Sequence, residues 1–160
     1  MLAATEKYPS VGPVLLLSLG VVESRFQTDA RSHTDARGPT RFWPSTVGCW
    51  RACLAEYTDE MLHDSRRNTE MAALYLDVLM TTYNDVGMAR AEYNGGPVNA
   101  RFYRARSHRA SAETRDYVPK VLEEYERMVR KLPTPPGMNY DIMYRDALRP
   151  GKKLEPAKTD

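Results

Sequence analysis

With 160 residues, 42% hydrophobic and 28% charged, the chain has the length and balance of one globular domain, neither disordered nor membrane-embedded in composition. Its 23 Lys and Arg against 21 Asp and Glu leave a net charge of +2, too small to point to nucleic acid by itself. Cys49 and Cys53 lack further ligands at metal spacing, and His33, His63 and His108 are scattered, so no metal site is expected.

The first apolar run, Val14 to Val22, has the core of a signal peptide without its flanks. Glu6 offsets Lys7, Pro13 opens the run, and no small-residue cleavage pattern follows. The run is also shorter than the roughly 20 residues that span a bilayer. It therefore predicts a helix from Pro13 to about Ser24, apolar nearly all round and central in the core, with no export signal and no membrane span. Gln27 to Trp43, rich in turn residues and arginines, predicts a loop, and a second helix is expected from Pro44-Ser45-Thr46 to about Tyr57. A third begins near Asn68 with an apolar stripe of Met71, Leu74, Tyr75, Val78 and Leu79. Asp85 caps a fourth, which Asn94-Gly95-Gly96-Pro97 stops, and a short fifth covers Val98 to Arg106. The sixth starts after Ser111 and reaches Leu132 on a face of Tyr117, Val118, Val121, Leu122, Tyr125, Met128, Val129 and Leu132.

No period-2 alternation is sustained anywhere, so the fold class is all-α. Residues 1–132 form the expected domain. Residues 133–160 form a C-terminal extended arm: a Pro-rich linker to Gly137, a short amphipathic turn over Met138 to Leu148, and a charged end from Lys152.

Glu23 is the most informative position for chemistry. A carboxyl at the C-terminal end of a buried helix is pushed toward its neutral form by desolvation and by the helix dipole, as a general acid requires. The competing reading is a helix-terminal Glu that reaches solvent. Asp29 and Asp35 lie nearby as candidates for the second carboxylate most glycosidases use, but no spacing singles one out. Tyr93-Asn94-Gly95-Gly96 either presents a hydroxyl and an amide to a cleft or only stops a helix. Arg101, Arg104, Arg106, His108, Arg109 and Arg115 form a basic cluster that reads first as a solvated face. With only Phe102 and Tyr103 interleaved, it is a poor single-strand groove, and no nucleic-acid partner is expected.

In chain order these pieces resemble the Slt-type lytic transglycosylases, a family similar to goose-type lysozyme. The opening Glu-Ser-x-Phe is Glu23-Ser24-Arg25-Phe26, and the segment around Gly38 follows as Ser32 to Thr46. The family's middle-helix Asn corresponds to Asn68, with Tyr75-Leu76 after it. Ala-Tyr-Asn-x-Gly appears as Glu92-Tyr93-Asn94-Gly95-Gly96, and the closing Glu-Thr-x-x-Tyr-Val-x-Lys-Val as Glu113 to Val121. Four motifs in order, over roughly residues 8 to 128, make a specific match.

The resemblance implies a lysozyme-like helical fold and cleavage of peptidoglycan between N-acetylmuramic acid and N-acetylglucosamine, without cofactor. Glu23 would serve as the single acid/base, so no second carboxylate is needed. Ser24 would orient Glu23 or the sugar, Tyr93 and Asn94 would line the cleft, and Tyr117 would hydrogen-bond near Glu23. Arg41 stands where the family has a substrate-contacting Gln. Pro39-Thr40-Arg41 replaces the usual Leu-Met-Gln, Asp35 a Gly, and Glu92 a small residue. A phage virion component acting in the bacterial periplasm and cell wall, its 133–160 arm contacting other virion proteins, would explain both the missing signal and the atypical cleft segment; the other setting is an ordinary exported member with its signal removed. The alternatives are a catalytically degenerate structural or glycan-binding virion protein, a goose-type hydrolytic muramidase and, well behind, a helical nucleic-acid binder.

Overall fold

The computed structural model describes residues 4, 7–8, 10–44, 46 and 58–131. The helix expected up to Tyr57 lies almost wholly outside the described residues, as do both cysteines, Leu132 and the arm. The delimited helices are α1 (Pro13–Ser24), α2 (Ser65–Tyr83), α3 (Val86–Arg104) and α4 (Ala112–Val129), with a 3-10 helix at Asp59–His63. Among the described residues, bridged β structure is confined to two isolated antiparallel pairs, Arg31 with Arg37 and Arg37 with Phe42. The all-α expectation holds. Two compact units divide the chain, residues 1–75 and 76–160, with the boundary inside α2.

In the first unit α1 has the expected bounds. Pro13 occupies its first turn, where a missing N–H costs nothing, and Leu15, Leu16 and Leu19 are fully buried. The buried Ser18 hydroxyl donates to the Val14 carbonyl at 2.7 Å. Two successive residues then turn left-handed, Arg25 at φ 53° and Phe26 at φ 62°. Their amides donate to the Val21 carbonyl at 3.0 Å and the Gly20 carbonyl at 3.3 Å, closing the helix end. The reversal lays the Phe26 ring over Gly20, where a Cβ would come within 2.3 Å of a ring carbon. Gly20 is therefore the seat of that ring.

α2 starts at Ser65, three residues before the expected position. Asp64 caps it, its carboxylate accepting from the Arg67 amide at 2.8 Å. Its buried face also differs: Met71, Ala72, Ala73, Leu76, Leu79 and Met80 are buried, while Leu74, Tyr75 and Val78 are half-buried. Two alanines supply much of that face, and small residues weigh little in a hydrophobic pattern while allowing close packing.

In the second unit α3 packs on α4. Asp85 caps α3 as expected, accepting from the Met88 amide at 3.0 Å. The stop expected at Asn94 to Pro97 is a kink: helical bonding continues to Arg104, and only Gly96 leaves helical geometry, at φ 75° and ψ 175°. Pro97 immediately follows, in the role of a first-turn residue for the second half. Ser111 caps α4, its hydroxyl accepting from the Thr114 amide at 3.1 Å. Of the expected face, Tyr117, Val118, Val121 and Tyr125 are buried and Leu122, Met128 and Val129 half-buried, and the helix ends at Val129 rather than at Leu132.

Candidate active site

The candidate residues divide between the units: Glu23, Ser24 and Arg41 in the first, Tyr93, Asn94 and Tyr117 in the second. Glu23 is half-buried in the last turn of α1. Beside it the Ser24 hydroxyl donates to the Pro39 carbonyl at 2.6 Å, binding the helix end to the following loop. The donor that sequence reasoning assigned to orienting Glu23 or a sugar is thus engaged by the main chain. Arg41, left-handed at φ 49°, reaches back with Nη1 to the Glu23 carbonyl at 3.5 Å. The structure therefore brings Glu23, Ser24 and Arg41 together at one helix end.

What holds that loop is a residue whose role the sequence did not reveal. Asn68 is fully buried and uses both sides of its carboxamide. Its Oδ1 accepts from the Thr40 amide at 2.9 Å and the Thr40 hydroxyl at 2.7 Å. Its Nδ2 donates to the Arg37 carbonyl at 2.9 Å and the Leu62 carbonyl at 3.1 Å. Both amide protons are used, which fixes the side chain's orientation. Gly38 makes room for it: at φ 76°, a Cβ there would lie 2.4 Å from the Leu62 carbonyl oxygen and 2.5 Å from Asn68 Nδ2. Pro39 and Thr40, two departures from the family pattern, are buried within this scaffold.

Asp35, one of the two nearby carboxylates, is taken by arginines. It pairs with Arg37 at 2.7 Å and Arg31 at 2.6 Å, and these partners, Arg37 foremost, hold its carboxyl below the usual range. Its ionised form is thereby favoured and its lone pairs occupied, which suits a loop clasp better than a base. Asp29 is exposed.

In the second unit the Asn94 motif is tied to α4. The Ser111 hydroxyl donates to the Thr114 hydroxyl at 2.8 Å, and that hydroxyl donates to Asn94 Oδ1 at 2.9 Å. Asn99 adds a parallel bridge, donating to the Gly95 carbonyl at 2.9 Å and accepting from the Ser111 amide at 2.9 Å. Two motifs 20 residues apart in sequence are thus one hydrogen-bonded assembly, and Asn94 does more than stop a helix. Tyr93 is half-buried and Tyr117 is buried on α4. Glu92, another departure, accepts a hydrogen bond from the Tyr83 phenol. Among the described residues no group of three His, Cys, Asp or Glu side chains is positioned to hold a metal ion.

The fold is that of solved lytic transglycosylases. An inactive mutant of the lytic transglycosylase Slt from Pseudomonas aeruginosa matches with a TM-score of 0.68 and 21% identity, over 81% of this chain and 24% of its own. The 70 kDa soluble lytic transglycosylase from Escherichia coli matches with a TM-score of 0.67 and 22% identity, over 80% of this chain and 24% of its own. The chain thus spans about a quarter of the length of either, and at such identities the likeness defines an all-α, lysozyme-like fold. The sequence carries the assignment further: the transglycosylase SLT domain model matches residues 1–115, and the chain belongs to that family. No curated protein matches it.

Proposed function

We propose that this chain is a peptidoglycan lytic transglycosylase with Glu23 as its acid/base. The observation that carries the reading is Glu23 itself, half-buried in the last turn of α1 beside a loop braced by Ser24, Arg41 and Asn68, in a chain of this family. The Glu23 carboxylic acid donates its proton to the glycosidic oxygen between N-acetylmuramic acid and N-acetylglucosamine, and the bond from that oxygen to the muramic anomeric carbon breaks. The muramic 6-hydroxyl forms the new bond to the same carbon and gives its proton to the Glu23 carboxylate. Acid is regenerated, the leaving sugar gains a hydroxyl, and the muramic end becomes the 1,6-anhydro form. The substrate supplies the nucleophile, so a clasped Asp35 and an exposed Asp29 are compatible with the chemistry.

Ser24 holds the helix end to the loop, Arg41 offers guanidinium donors where the family has a Gln, and Tyr93, Asn94 and Tyr117 serve as glycan-binding or positioning groups. Purified protein and its Glu23→Gln variant, incubated with sacculi, test this. Anhydro-muramic ends are expected from the parent, with loss of about two orders of magnitude or more in the variant. Reducing muramic ends would indicate a hydrolytic muramidase instead, and sacculus binding without release would indicate a degenerate binder. The proposed setting is a phage virion, where the chain opens the wall locally for genome delivery and its 133–160 arm meets other virion proteins. Mass spectrometry of purified particles is expected to find it, and its absence there would remove that setting.

A further inference from the structure

Five arginines fall within residues 101–115, namely Arg101, Arg104, Arg106, Arg109 and Arg115, against one carboxylate, Glu113. The whole chain has a formal excess of only two cations, so positive charge is concentrated in this stretch. All five residues are exposed, and none of them enters an ion pair among the described residues. The nearby carboxylates are otherwise placed. Asp85 caps α3, Glu92 accepts from Tyr83, and Glu113 stands in the first turn of α4, where the helix dipole favours it, with Asp116 following.

The fold presents these cations together. Val98, Arg101 and Arg104 recur every three residues on exposed positions of α3, a spacing that makes neighbours on a helix surface. Arg104, Arg106 and Arg115 border a single hollow between α3 and α4. The turn that carries Arg106 and Arg109 is held from within. Arg115 Nη1 donates to the His108 carbonyl at 3.1 Å and to the Ala110 carbonyl, and the Arg109 amide donates to the Ser107 hydroxyl at 3.2 Å. An apolar side chain stands beside this charge: Val98 is 52% exposed, one of two large hydrophobic residues exposed among the described residues, and the exposed Pro97 precedes it.

We propose that this face of the second unit docks on the surface of an anionic phospholipid bilayer, with Pro97 and Val98 entering the headgroup layer and Arg101, Arg104, Arg106 and Arg109 meeting lipid phosphates. Guanidinium forks match phosphate oxygens, and each cation close to an anionic leaflet adds to the attraction. An exposed valine at the edge of such a patch gains by leaving water at the interface. Nucleic acid is the poorer match, because Phe102 and Tyr103 are half-buried and offer no open ring for base stacking. Among the described residues no helix is long and apolar enough to cross a membrane, and the proposed contact is peripheral.

Cosedimentation of the full chain with vesicles tests this, using phosphatidylglycerol mixed into phosphatidylcholine against phosphatidylcholine alone. Binding to the anionic vesicles is expected, about tenfold or more weaker on the neutral ones, and falling as salt rises. Each arginine removed is expected to cost about fivefold, so the combined Arg104→Gln, Arg106→Gln and Arg109→Gln variant loses about a hundredfold at unchanged melting temperature. Val98→Ser is expected to lose about fivefold with the charge intact. Equal binding to both vesicles, or unaltered binding by the arginine variant, would overturn the proposal. So would preference for duplex DNA over the vesicles, or an unaffected Val98→Ser variant, which would make the face a general polyanion contact. Cleavage of soluble glycan strands is expected to be unchanged in the arginine variant, which separates this face from the Glu23 chemistry. Joint loss of cleavage and vesicle binding at unchanged melting temperature would assign the face to the glycan site instead.

Discussion

Asn68 joins Thr40, Arg37 and Leu62 through one carboxamide, and its contribution comes from being complete. Asn68→Asp keeps the size but aims a carboxylate oxygen at two carbonyl oxygens in a buried place. A loss of about 3 kcal/mol or more is expected, read by denaturant unfolding. The residue was legible in the sequence as a motif Asn, but the network was not, since its partners lie 6 to 31 residues away. Tyr83 offers a second test. Burial first, then its bond to Glu92, pushes the phenol up to about 12. An unfolded tyrosine titrates near about 10, so the folded state holds this proton more tightly. The stability it contributes is complete below about pH 10 and is lost as pH rises toward about 12. Tyr83→Phe is expected to flatten that alkaline fall, checked by thermal melts at about pH 9 and about pH 11.

Two adjacent glycines are needed at the kink in α3 for different reasons, and only Gly96 makes the bend itself. A Cβ on Gly95 would sit 2.3 Å from the Thr114 hydroxyl and 2.8 Å from Asn99 Cβ, against groups that join α3 to α4. A Cβ on Gly96 would meet nothing within 4 Å, but its backbone lies where glycine alone is comfortable. Both alanine variants are expected to lose about 1–3 kcal/mol, Gly95→Ala by crowding and Gly96→Ala by backbone strain. Trimming Thr114 to Ser keeps the hydroxyl and should rescue neither; Asn99→Ala leaves its Cβ and should rescue neither. Melting temperatures of the single and paired variants check both statements. Sequence reasoning identified the breaker without distinguishing these roles, because one comes from tertiary approach and the other from dihedral angles. α1 was legible to the residue, being announced by a first-turn proline and an unbroken apolar run. The face of α2 was not, because alanine carries little pattern.

The whole chain's all-α class followed from the absence of alternation, and its family from four motifs in order. Arg90 on α3 is buried, its Nε and Nη1 donating to the Val86 and Val118 carbonyls, and no motif in the sequence marks it. Sequence reasoning grouped Arg104, Arg106 and Arg115 as a solvated face, and all three are exposed. The left-handed backbone at Arg25 and Arg41 carries a different lesson, for colloidal behaviour. Glycine would occupy both places with less local strain, so stability-minded redesign would choose it. Doing so removes two cations and takes the formal net charge from +2 to +2 − 2 = 0. At zero charge a small domain self-associates more readily and loses its long-range pull toward an anionic polymer. The two left-handed positions Arg25 and Arg41 thus hold as many cations as the chain's formal excess of cations over anions.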